Sequence, residues 1–65
     1  MDEKQVGAFI RKLSDQGTDI TGIERCGGYD ASALGGSPLR RTEVEEYPTL
    51  WAALEALAAK MEAAS

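Results

Sequence analysis

Catalysis and metal binding need nucleophiles, bases or ligands at workable spacings, and this chain offers few of them. Its one cysteine, Cys26, follows Arg25, whose positive charge favours a thiolate. There is no histidine, so the thiol lacks its usual base, and one cysteine without histidine cannot make a usual zinc set. A structural cysteine is the plainer reading, and an internal disulfide is impossible. Ser14-Asp15, Tyr29-Asp30 and Ser32 form no recognisable triad. Glu45 and Glu46 are neighbours, which an extended backbone turns to opposite faces, the wrong geometry for paired glycosidase carboxylates. The glycine pairs of RCGGYDASALGGSP raise a phosphate-cradling loop. Such a loop needs glycines leading into a helix N-terminus, usually with Lys and Ser/Thr behind them, whereas these precede extended sequence and a Ser-Pro turn. They read as hairpin punctuation. The expectation is a protein without catalytic activity, cofactor or metal.

What remains is surface chemistry. Seven Lys and Arg against eleven Asp and Glu leave a net charge of −4, the wrong sign for gripping a phosphate backbone. Nucleic-acid binding starts disfavoured, although Arg11 and Lys12 with Arg40 and Arg41 are the basic residues from which a local patch would be built. Glu43, Glu45 and Glu46 form an acidic run that suits a solvated face or a basic surface on a partner. The N-terminus places acids before its basic residues and has no long apolar run, and nothing approaches the roughly 18 apolar residues of a membrane span. A soluble protein without a signal peptide or membrane contact, in a reducing cytoplasm, is expected.

The elements that position these residues follow from periodicity. Over about residues 2–16, Val6, Phe9, Ile10 and Leu13 fall at i, i+3, i+4 and i+7, the stripe of a first helix. Asp2 can cap its amides, Arg11 and Lys12 suit its negative end, and Gly17 can take the left-handed stop. Gly7, beside the stripe, is read as room for another backbone. The period then changes. Three strands are expected at about 18–26, 29–34 and 39–46, with Tyr29, Ala31 and Ala33 on one face of the second. Ile20 and Ile23 are an odd number of residues apart, so Gly22 is expected to mark a bulge. The third segment alternates Arg40, Thr42, Val44 and Glu46 with Leu39, Arg41, Glu43 and Glu45, as a one-sided or edge strand does. Pro48 forces Tyr47 into extended geometry and Thr49 can cap a second helix over about 49–63. The order predicts a small single α+β domain, α-β-β-β-α, with a short antiparallel sheet packed against two helices.

The second helix carries the most information about function. Leu50, Ala53, Leu54, Leu57, Ala58 and Met61 make its core stripe. Trp51 lies about 90° from the centre of that stripe, on the flank of Glu55 and Glu62. It is either a roof over the sheet edge beside Tyr47 or an exposed anchor for a partner. Opposite the core stripe, Ala52, Ala56, Ala59 and Ala63 form a second shallow stripe. It fits a plain exposed helix face or close approach by another helix. A chain of 65 residues buries only about 60% of its unfolded surface, so an additional partner would help it.

The α-β-β-β-α order is shared in outline by double-stranded-RNA-binding domains. That resemblance implies an RNA surface on Arg11, Lys12, Arg40 and Arg41. The chain departs from the pattern where it matters, because such domains are longer and carry a lysine cluster before the last helix, where this sequence reads EVEEY. The leading expectation is an acidic protein-interaction module, a stoichiometric inhibitor or adaptor for a larger protein. Inhibitors encoded by phages or mobile elements against host systems, including anti-CRISPR proteins, share its size and acidity. The contact residues would be Trp51, Glu55, Ala52, Ala56, Ala59, Glu43, Glu45, Glu46 and Tyr47. The alternatives are a nucleic-acid-associated regulator, such as an antitoxin or small RNA-binding protein, and a structural homodimer joined through the second helix.

Overall fold

A computed structural model describes residues 2–64 of the chain. The elements run α1 (Glu3–Asp15), β1 (Asp19–Arg25), β2 (Gly28–Gly35), β3 (Arg40–Tyr47) and α2 (Leu50–Ala64). Each boundary falls within a residue of its place in the sequence pattern, as fraying ends allow. The strands form an antiparallel sheet in the order β1-β2-β3. Helix α2 packs across all three strands, and α1 lies against α2 and β1.

Local chemistry sets the ends of the helices. Asp2 and Gln5 close a reciprocal capping box: the Asp2 carboxylate accepts from the Gln5 N–H at 2.9 Å, and Gln5 Oε1 accepts from the Asp2 N–H at 3.0 Å. At the other end Gly17 takes φ 85°, so that the Thr18 N–H reaches the Leu13 carbonyl and the Gly17 N–H the Ser14 carbonyl. These are the two bonds of a Schellman stop. In α2, Thr49 Oγ1 accepts from the Ala52 N–H at 3.0 Å.

Ala31 and Ala33 of β2 meet Ala53 and Leu57 of α2 to form the core, with Ile20, Tyr29, Val44, Tyr47, Leu54 and Met61 packed around them. Val6 anchors α1 and is fully buried. Small alanines on both sides let the helix lie close to the sheet.

Three expectations are corrected. Gly22 is not a bulge, because β1 pairs with β2 in unbroken register from Asp19↔Leu34 to Arg25↔Gly28. Its missing side chain makes room for Leu50, whose Cδ1 would stand 2.5 Å from a Cβ there. The odd spacing of Ile20 and Ile23 is resolved by leaving Ile23 outside the core, 41% exposed. Gly7 admits no other backbone, since nothing lies within 4 Å of a Cβ built on it.

The third correction concerns β3. Alternation holds through Thr42 and Val44, which face Ala33 and Ala31, and then Tyr47 pairs with Tyr29. Two residues, Glu45 and Glu46, therefore stand opposite the single Asp30, with Glu46 at φ 62°. Glu46 does not continue the inward alternation, and Tyr47 takes that place.

Candidate protein interaction surface on helix α2

The bulge is held by one buried carboxylate. Asp30 is only 8% exposed although it lies on the outer side of the sheet. Its Oδ1 accepts from the Glu46 N–H at 3.1 Å, and its Oδ2 pairs with Arg25 Nε. A buried carboxylate needs such partners on its oxygens. The consequence is positional. In a regular strand Tyr47 would share the outer face with Arg41, Glu43 and Glu45, but the extra residue brings it to the inner face beside the start of α2.

Tyr47 thereby becomes one wall of an open groove of ≈ 320 Å³ lined by Tyr47, Thr49, Trp51, Ala52, Glu55, Ala56 and Ala59. Six of the nine proposed contact residues meet here. Trp51 is 38% exposed and lines the groove beside Tyr47. Ala52 and Ala56 form a half-buried floor, Ala59 continues it into solvent, and Glu55 is half-buried beside it. The surface is apolar and aromatic at its centre with one carboxylate, which suits an apolar side chain accompanied by a cation.

Glu43, Glu45 and Glu46 do not join the groove. Glu43 pairs loosely with Arg41 at 3.6 Å, and its carbonyl accepts from Lys60 Nζ at 3.0 Å, tying β3 to α2. Glu46 serves the bulge through its backbone. The sequence signal of this structural role is the spacing of Val44 and Tyr47, both apolar and an odd number of residues apart.

The basic residues are distributed over different surfaces. Arg40 borders a cavity of ≈ 270 Å³ with Leu13, Gln16, Thr42 and Met61 among its other lining residues. Arg41 alternates to the outer face of the sheet. Lys12 lines a third groove with Gln5, Ala8, Phe9 and Glu62. Arg11 is exposed on α1 and borders none of these three.

On β2, paired with Tyr47, the Tyr29 hydroxyl donates to Glu24 Oε2 at 3.0 Å, and this bond with the carboxylate's charge raises the phenol above its ordinary pKa. Among the described residues no cluster of His, Cys, Asp and Glu is arranged to hold a metal ion, Cys26 is exposed, and no helix is long and apolar enough to cross a membrane. Comparison with protein-family models, curated proteins and solved structures finds no match.

Proposed function

We propose that this protein is a non-catalytic interaction module, a stoichiometric inhibitor or adaptor that binds a larger protein through the α2 groove. What supports this is the convergence of Tyr47, Trp51, Ala52, Glu55, Ala56 and Ala59 on one open surface. The partner's contribution would be an apolar side chain seated between the two aromatic rings, with a Lys or Arg near Glu55. The Glu43 and Glu45 side chains, exposed on β3, would act on encounter rate and not as central contacts.

The test is capture from host lysate by wild type and by the Trp51→Ala and Ala56→Glu variants, with circular dichroism confirming that each variant is folded. Trp51→Ala removes one wall and Ala56→Glu obstructs the floor. Both should lose the partner that wild type retains, by at least tenfold in affinity. A partner held equally by all three proteins rules out the groove.

A further inference from the structure

The sheet has two open edges that differ in how they meet another chain. Along β3 the edge carries the Glu46 bulge, the charges of Arg40, Arg41, Glu43 and Glu45, and Pro48 just beyond it. Bulges, charges and proline are devices that block strand addition. Strand β1 has no proline, no lysine and no bulge, pairs regularly with β2, and every residue of it except Ile20 is exposed. Its charges sit at its two ends, Asp19 at one and Glu24 with Arg25 at the other.

Strand geometry limits how two such edges can meet. For two β1 strands to join antiparallel into one continuous sheet, directly opposed residues must face the same side, so their numbers must sum to an even value. Only the register centred on Gly22 pairs the whole strand. It sets Asp19 against Arg25 of the second copy at both ends and Thr21 against Ile23 between them on the outer face, with Ile20 against Glu24 and Gly22 against its own copy on the inner face. Opposite charges and β-branched pairs are both favourable across strands. Shifting by one face-preserving step instead sets Asp19 against Ile23, or Arg25 against Thr21, and shortens the ladder. Arg25 has donors to spare: Asp30 engages Nε, and the side chain remains 64% exposed.

We infer that β1 is a self-pairing edge, at which two copies of this chain join antiparallel about Gly22 into a six-stranded sheet. The interface leaves the α2 groove free and does not depend on its role. Light scattering over a concentration series, on wild type, Asp19→Arg and Ala56→Glu, tests it. Wild type and Ala56→Glu should both approach twice the monomer mass. Asp19→Arg opposes like charges at both ends and should require at least about tenfold more protein to dimerise. Backbone hydrogen exchange on wild type gives a second measurement that needs no variant: β1 amides should slow as concentration rises while β3 amides do not. A monomer at every concentration up to millimolar, or exchange in β1 that ignores concentration, overturns the proposal. So does a dimer that Ala56→Glu dissolves and Asp19→Arg leaves intact, which would place the contact on α2.

Discussion

Asp30 links chemistry to geometry at the scale of single residues. Its carboxylate accepts the Glu46 N–H at the β3 bulge and balances the Arg25 guanidinium, and through that bulge it decides which way Tyr47 faces. Asp30→Ala leaves both donors without their acceptor and should lower stability by about 1–3 kcal/mol in urea unfolding. Asp30→Asn, which keeps an acceptor oxygen for Glu46, should lose less. Tyr29 and Glu24 make a second testable pair. The neutral phenol is the form that donates to the carboxylate, so folding raises its pKa above the ordinary phenol value. The stabilisation is present below that value and is lost as pH rises through the folded-state pKa. In an absorbance titration, Glu24→Gln should move the Tyr29 transition to lower pH, and superimposable curves would refute the linkage.

Each element shows local and tertiary forces in different proportion. Helix α1 is locally specified, with a capping box at one end, a Schellman stop at the other and Val6 as its buried anchor. Gly7 is the exception. With space around it and nothing to approach it, the glycine only adds unfolded-state entropy, so Gly7→Ala should raise stability by about 1 kcal/mol, seen as a higher Tm. An unchanged or lower Tm would mean that Gly7 has a packing role after all. Helix α2 is the reverse case. It is apolar around much of its circumference, and only tertiary contact, with the sheet and with α1, selects Ala53, Leu57 and Ala58 as the buried side.

For the whole molecule, the decisive quantity is how little it encloses. The largest fully buried side chains are Leu57 and Val6, and the rest of the buried apolar core is alanine. A core this small leaves limited stability to draw on. It also leaves apolar surface outside: Trp51 on the groove, Ile23 and Leu34 on the uncovered face of the sheet. Binding at either the α2 groove or the β1 edge would stabilise the folded state by mass action. The two surfaces are separate, so a dimer joined through β1 would present two copies of the groove to larger partners. Binding and self-association are then distinguishable by Ala56→Glu and Asp19→Arg.

The number, order and bounds of the elements were legible from the sequence, because they depend on periodicity, capping and turn chemistry within a few residues. The flank position of Trp51 and the grouping of Ala52, Ala56 and Ala59 were legible for the same reason, since a helix fixes angles between near neighbours. Tertiary structure decided the rest. A single residue cannot show whether an odd apolar spacing is absorbed by a bulge or by exposure. In β1 the spacing of Ile20 and Ile23 left Ile23 in solvent; in β3 that of Val44 and Tyr47 produced the bulge. The difference is Asp30, which lies on another strand and supplies the acceptor that makes the β3 bulge affordable. The same long-range fact assigned Glu46 to the scaffold and Tyr47 to the groove.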